Sequence, residues 1–416
     1  MAKAINTEQN YIAGNWVKGK GKEFWSYNPA TAEKSKVYIE GDQEQVDVAV
    51  EQAAIAFETV KKKSTAERAA LLESIAEELE ALGDELIKVC DMETGLGKAR
   101  LTGERARTCG QLRSFASLIK QGHWQQARID TAIPNRQPMP KPDIRRIFRP
   151  MGTIAVFSAS NFPLAFSTLG GDTASAIAAG NCVVVKAHPS HPGTSKLCAE
   201  AMQKAILRNN YPLEMFSMVQ GISPEVSQAL VQHPHIKAVG FTGSTHVGRI
   251  LFDLGASRPN PIPVFAEMGS TNPMIILPQA IANNGVEIAK GLANSITLGT
   301  GQFCTKPGLI LILKDKNSPE FVGNLKNALD SISIGHFLNA RIQSSFQKDV
   351  VKTATVAGIE MVSTKDEGGK LFEIDADNFL QSPNLEDEIF GPAAILINCD
   401  TINQLNKIVE TFAGHL

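Results

Sequence analysis

A cysteine with the surroundings of a nucleophile stands at Gln302-Phe303-Cys304-Thr305, preceded by Gly299-Thr300-Gly301 and followed by Lys306-Pro307-Gly308. Glycines on both sides let the backbone approach a ligand and adopt dihedrals closed to other residues, and a thiolate is the strongest ordinary nucleophile near neutral pH. The plainer alternative is an inert, buried thiol acting as a small hydrophobe. Glu267 closes the run Val264-Phe265-Ala266 just before Met268-Gly269, so its carboxylate is either a general base or a solvated strand end. Asn161, in Ser158-Ala159-Ser160-Asn161-Phe162-Pro163, either donates an amide N–H to a developing oxyanion or stabilises its own turn. Lys186 ends the apolar run Cys182-Val183-Val184-Val185, where it either reaches solvent or meets a hydroxyl or phosphate. Phe241-Thr242-Gly243-Ser244-Thr245 reads as a strand end opening a helix, which offers free N–H groups to an anion or simply a Ser244 or Thr245 cap. GxGxxG is absent from these turns, so the standard dinucleotide fingerprint is not claimed.

These groups need a scaffold, and the elements around them predict one. From 43 to about 121 the chain is rich in strong helix formers with apolar residues three and four apart, as in 46–54 and 66–72. Between 129 and 150 five prolines and the pair Arg145-Arg146 exclude regular helix and predict an excursion or extended hairpin. Short apolar runs then alternate with helical stretches: strands at 153–157, 182–186, 215–219, 238–241 and 263–267, with helices at 174–179 and 192–207. That alternation predicts a doubly wound parallel sheet buried on both faces. Ligands of such sheets lie beyond the carboxyl ends of the strands, so 158–161, 186–190, 242–244 and 267–269 are expected to rim one crevice.

Composition narrows the function. With 416 residues the chain exceeds a single core of roughly 250 to 300 residues, which predicts at least two domains. Lysine and arginine (41) nearly balance aspartate and glutamate (43), which leaves no footprint for nucleic acid or a membrane surface and points to small-molecule partners. Six scattered cysteines with no CxxC pair argue against a disulfide scaffold or structural zinc and favour a reducing cytoplasm. No apolar signal segment opens the chain and no run approaches 18 apolar residues, so neither secretion nor a membrane span is expected.

Taken in order, Asn161, Lys186, Phe241-Thr242-Gly243-Ser244, Glu267-Met268-Gly269, Gly301-Gln302-Phe303-Cys304 and Glu388-Ile389-Phe390-Gly391-Pro392 resemble the aldehyde dehydrogenase superfamily over most of the chain. The resemblance implies that Cys304 attacks the aldehyde while Asn161 and the Cys304 N–H hold the oxyanion. Hydride would pass from the thiohemiacetal to nicotinamide, and Glu267 would activate the water that hydrolyses the thioester. Lys186 and Glu388 would hold cofactor ribose hydroxyls, Phe390 would pack near the nicotinamide, and Ser158, Gly243 and Ser244 would line the cofactor, with Ser244 at the pyrophosphate. It also implies an α/β fold with a dinucleotide-binding domain over 1–121 and 149–269, an oligomerisation hairpin over 122–148 and a second α/β catalytic domain over 270–416. The assembly implied is a homodimer or homotetramer where the C-terminal region is present, and no metal is implied.

Finer likeness lies in Pro142-Asp143-Ile144-Arg145-Arg146, Asn161-Phe162-Pro163-Leu164-Ala165-Phe166-Ser167, Gly170-Gly171-Asp172-Thr173 and His191-Pro192-Gly193-Thr194. These resemble the branch holding 2-oxoglutarate semialdehyde (2,5-dioxopentanoate) dehydrogenases and NADP-dependent fatty aldehyde dehydrogenases. The semialdehyde is the expected substrate, with a long-chain aldehyde as the alternative. Arg100, Arg107 and Arg146 are compositional candidates for meeting its carboxylate, against a plainer reading as surface ion-pair residues. Pro189 stands where NAD-preferring relatives often carry a glutamate, yet no arginine lies between Arg208 and Arg249, so use of either NADP or NAD is expected. The chain stops at Leu416, about a hundred residues before relatives do, which predicts a truncated catalytic domain and an unpaired hairpin. An inactive nucleotide-binding protein is the alternative of another class. A thiol acyltransferase or esterase would need a histidine beside Cys304, and His188, His191, His233, His235 and His246 all fall in the cofactor half.

Overall fold

A computed structural model of the chain describes residues 7–412 and 414; residues 1–6 of the segment 1–121, and 413, 415 and 416 of the segment 270–416, lie outside the described residues. The chain divides into two compact units, Met1–Met268 and Gly269–Leu416.

In the first unit a short antiparallel pair, β1 (Gln9–Ile12) and β2 (Asn15–Lys18), is followed by the ribbon β3 (Glu23–Asn28) and β4 (Glu33–Ile39). The sequence analysis marks none of the four, because they mix polar and apolar residues and lack the continuous apolar runs by which the strands of the parallel sheet are recognised. Helices α1 (Gln43–Val60), α2 (Thr65–Ala81), α3 (Gly83–Thr94) and α4 (Lys98–Gln121) come next. Their limits have local causes. Asp42 caps α1 by accepting from the Gln45 N–H, Ser64 and Glu67 form a capping box on α2, and left-handed Gly95 and Gly122 end α3 and α4. The proline-rich stretch forms an exposed hairpin in which β5 (Arg128–Asp130) pairs antiparallel with β6 (Ile144–Arg146).

The sheet proper uses β7 (Thr153–Phe157), β8 (Cys182–Lys186), β9 (Phe216–Val219), β10 (Ile236–Gly243) and β11 (Val264–Met268), interleaved with α5 (Gly171–Ala178), α6 (Pro192–Arg208), α7 (Pro224–Gln232) and α8 (Thr245–Ala256). These five strands are parallel in the order β11-β10-β7-β8-β9, and β1 and β2 extend the β9 edge antiparallel. Every residue of β7 and β9, and all of β8 but Lys186, is buried or nearly so, as continuous apolar runs require. β9 starts at Phe216 rather than at the expected 215, because Pro212 opens a 3₁₀ turn over Leu213–Met215. β10 runs past the expected 238–241 at both ends, carrying Thr242 and Gly243 into the ladder.

In the second unit β12 (Met274–Ile276), β13 (Leu309–Leu313), β14 (Ile359–Met361), β15 (Lys370–Asp375) and β16 (Ala393–Cys399) form a sheet in the order β12-β13-β16-β15-β14. All neighbours are parallel except β14, which is antiparallel to β15. Side-chain alternation divides β13 between two cores: Leu309 and Leu311 pack with Phe346 and Phe372, while Ile310 and Ile312 pack with Leu292 and Phe321. α9 (Pro278–Thr297) runs into the turn that delivers Cys304. No helix among the described residues is long and apolar enough to cross a membrane.

Candidate active site

In the first unit the parallel register brings the strand ends to one level. Phe157 sits opposite Lys186 on one side and Phe241 on the other, and Thr242 pairs with Glu267. Ser158, Lys186, Gly243 and Glu267 therefore stand along one carboxyl edge of the sheet, where helix N-termini also begin. The Ser158 N–H donates to the Lys186 carbonyl (3.2 Å), while its buried Oγ has no partner among the described residues. Burial pushes the Lys186 ammonium down to about 8, with the Glu40 charge opposing the shift. Ser244 is the N-cap of α8, accepting from the Val247 N–H at 3.4 Å, so the capping alternative is realised there. Gly243 and Ser244 are exposed and Glu267 is half-buried. Burial, and then the charge of Glu267, raise the carboxyl of Asp172.

The loop carrying Asn161 is held from two helices. The Asn161 carbonyl accepts from Arg100 Nη2 (2.6 Å), and Glu104 Oε1 accepts from the Leu164 and Ala165 N–H groups (2.8 and 3.0 Å). Both clamps come from α4. From the start of α6, buried His191 bonds through Nε2 to the Ala159 carbonyl (2.8 Å), and burial lowers the imidazole to about 4, so it is a neutral donor. Glu104 and His191 are not among the site residues expected from sequence; Glu104 is marked only as an acid on the largely apolar buried face of α4, and His191 is the residue that precedes α6.

In the second unit the nucleophile's loop is built from backbone. Gly299 (φ 55°), Thr300 (φ 59°) and Gly301 (φ 65°) are successive left-handed residues. A Cβ at Gly301 would collide with the Gly391 carbonyl group, so glycine is required for the loop to lie against Gly391-Pro392. Asn272 Nδ2 donates to the carbonyls of Cys304 (2.6 Å) and Lys306 (3.0 Å), and Gln302 spans Gly299, His336 and Leu338. Buried Lys306 donates to the Ala393 carbonyl (2.7 Å); burial pulls its ammonium down to about 8, and Glu388 opposes that. Glu388 in turn is raised by burial, eased by Lys306 and by a hydrogen bond from the Ser270 backbone. The Cys304 turn and Glu388 thus share two neighbours: Lys306, whose charge acts on the Glu388 carboxyl, and the segment 270–272, which bonds to both. Phe390 is half-buried in the same segment. Lys306, Asn272 and Gln302 were not read as site residues, since their part is to fix backbone.

Five of the six cysteines are buried and Cys304 alone is half-exposed. Burial pushes the thiols of Cys182 and Cys198 up to about 12 and those of Cys109 and Cys399 to about 11, which silences them as nucleophiles. Among the described residues no cluster of three or more His, Cys, Asp or Glu could hold a metal.

The second unit holds a half-exposed cysteine in a glycine turn, and the first holds an acid, a lysine and a helix start on parallel strand ends. The aldehyde dehydrogenase family model matches residues 16–412, and the chain belongs to that family. It is 40% identical over 419 residues to an alpha-ketoglutaric semialdehyde dehydrogenase 2 of Azospirillum brasilense, covering 99% of this chain and 80% of that one. It is 39% identical to an alpha-ketoglutaric semialdehyde dehydrogenase of Acinetobacter baylyi, again over 99% of this chain and 80% of the relative. Among solved structures, a NAD-dependent benzaldehyde dehydrogenase from Corynebacterium glutamicum superposes with a TM-score of 0.82 at 24% identity, covering 97% of this chain and 87% of its own. The NAD+ complex of a Bacillus cereus aldehyde dehydrogenase gives 0.81 at 23%, covering 98% and 82%. The chain is an oxidoreductase of aldehydes that uses NAD(P), as its family does. The first unit fits that cofactor: the unpartnered Ser158 Oγ, the Lys186 ammonium and the exposed start of α8 are donors for hydroxyls and phosphate at one sheet edge.

Proposed function

We propose that this chain oxidises 2-oxoglutarate semialdehyde to the dicarboxylic acid. The observation carrying the reading is the likeness, over 99% of the chain, to two proteins named for that semialdehyde. Cys304 is the nucleophile, a role supported by its exposure against five buried thiols. Its sulfur attacks the aldehyde carbon, a C–S bond forms, and the carbonyl oxygen takes the negative charge. The Asn161 amide and the Cys304 N–H stabilise that oxyanion, and the clamps of Arg100, Glu104 and His191 keep the Asn161 loop from relaxing as charge develops. NAD(P), when bound, is the two-electron oxidant that accepts hydride from the substrate carbon. Glu267 then takes a proton from water as that water attacks the thioester carbonyl, the C–S bond breaks, and the thiolate and the acid part.

Lys186 and Glu388 hold ribose hydroxyls, Ser158, Gly243 and Ser244 line the cofactor, and Phe390 packs at the nicotinamide. Pro189, three residues after Lys186, brings no carboxylate against a 2′-phosphate, which supports use of NADP as well as NAD. Residues 1–121 and 149–269 serve as the cofactor domain and 270–416 as the catalytic one. The hairpin over 122–148 mediates assembly into a dimer or tetramer in the cytoplasm; its exposed Ile129, Ile133, Met139 and Ile144 support that role.

The test is steady-state reduction of NAD and NADP by the purified chain, with 2-oxoglutarate semialdehyde against a long-chain alkanal, beside Cys304→Ala. Semialdehyde turnover that vanishes in the variant is expected. A preference for the alkanal would overturn the substrate, and turnover surviving in Cys304→Ala would overturn the mechanism. A loss of more than a hundredfold in affinity from the 2′-phosphate would end the dual use of cofactors.

A further inference from the structure

The proposed substrate carries its aldehyde at one end and a carboxylate at the other, so a cation must wait a fixed distance from the oxyanion donors. The two ends are separated by roughly 5 Å of extended carbon chain at bond lengths of about 1.5 Å. Three arginines were open for this on composition, and their surroundings separate them.

Arg100 is committed to the scaffold: it donates to the Asn161 carbonyl (2.6 Å), faces the Glu104 carboxylate at 3.9 Å and lies over the Phe162 ring at 5.2 Å. Arg146 belongs to the exposed hairpin, stacked on Phe148 at 5.6 Å. Arg107 is different. It projects from α4 and is exposed, with its guanidinium over two rings at once, Phe162 at 5.4 Å and Phe166 at 5.1 Å. Phe162 is the residue directly after Asn161. Among the described residues none accepts a hydrogen bond from Arg107 or pairs with it within 4.0 Å. The buried Glu104 feels its charge but already spends Oε1 on two backbone N–H groups.

We infer that Arg107 receives the carboxylate of the aldehyde substrate. The ring contacts draw on the guanidinium's charge and take up none of its hydrogen bonds, so its N–H fork stays available to grip a carboxylate with two parallel bonds. The two rings also hold the side chain in place before substrate arrives, which lowers the ordering cost of binding. Phe162 and Phe166, themselves packed edge to face at 5.2 Å, give the substrate's carbon chain an apolar wall between that grip and Asn161. The inference rests on the semialdehyde reading above and adds the residue that selects for the acid.

The experiment measures kcat/KM for 2-oxoglutarate semialdehyde and for pentanal, an uncharged aldehyde of equal length, in the unaltered chain, Arg107→Met and Arg107→Lys. The ratio of the two is expected to fall on the order of 100-fold in Arg107→Met, through KM for the acid, and about 10-fold in Arg107→Lys, which keeps a point charge but loses the fork. A ratio that stays put in Arg107→Met overturns the inference alone. A parallel loss on both aldehydes does so too, since Arg107 would then only prop the Phe162 and Phe166 rings. An unaltered chain that shows no preference for the acid overturns the substrate reading, and the inference with it.

Discussion

The two units present their functional groups by opposite means. In the first, regular structure does the placing: parallel register sets Lys186 beside Phe157 and Glu267 beside Thr242, so residues far apart in sequence share one edge. In the second, regular structure stops short of Cys304, and three left-handed residues, a glycine contact and side-chain bonds from Asn272 and Gln302 set the loop. A sheet edge tolerates changes at single residues because its position is shared among many hydrogen bonds. A loop held by a few contacts does not. The difference predicts which substitutions act on chemistry and which act on shape.

The largest effect sharpens the chemical side. Cys304→Ala should lower kcat by on the order of 10⁴-fold or more with the melting temperature little changed, read by single-turnover assay and calorimetry. Residual turnover within tenfold of the unaltered chain would move the nucleophile elsewhere. Gly301→Ala tests the loop. A Cβ against Gly391 at φ 65° should destabilise the second unit by about 2–4 kcal/mol, seen as an earlier unfolding transition with the first unit's transition unmoved. If stability held, the glycine contact would not define the loop. Lys186→Met should weaken NAD and NADP binding by roughly 30-fold while leaving the fold intact, because the sheet edge carries on without it. Equal affinity in a fluorescence titration would remove Lys186 from the cofactor site.

The smallest effect is a pH slope at the seam between strand edge and helix. His191 has an ordinary value of 6.5 that burial lowers to about 4, so between those pH values the unfolded chain binds the extra proton and the folded one does not. Stability from this group is therefore present above pH 6.5 and lost as pH falls toward 4, at up to about 1.4 kcal/mol per pH unit. His191→Gln should lose less in melting temperature from pH 7 to 5 than the unaltered chain. An identical loss would mean the imidazole is charged in the fold.

Much of the first unit is legible in the sequence. Runs such as Cys182-Val183-Val184-Val185 admit few environments other than a strand buried on both faces, and a polar residue closing such a run must sit at the strand's end. The ordered motifs from Asn161 to Pro392 named the family, which the match over 16–412 bears out. What escaped was whatever depends on distant partners. Nothing in the local pattern marks Glu104 as the acceptor for Leu164 and Ala165, sixty residues on, or His191 as the support of Ala159. β1 to β4 escaped because they carry no continuous apolar run, and Pro212 moved the start of β9 by one residue.

By itself the sequence determined the parallel sheet, the cysteine in its glycine turn and the identity of the candidate acid, amide and lysine, because burial period and local backbone permission are written into neighbouring residues. Only the tertiary structure decided which arginine stands with free donors against the Asn161 loop, which of six thiols meets solvent, and why Gly301 must be glycine. Those outcomes depend on what lies across space from a residue, and desolvation, close approach and shared hydrogen bonds exist only once the chain has closed on itself.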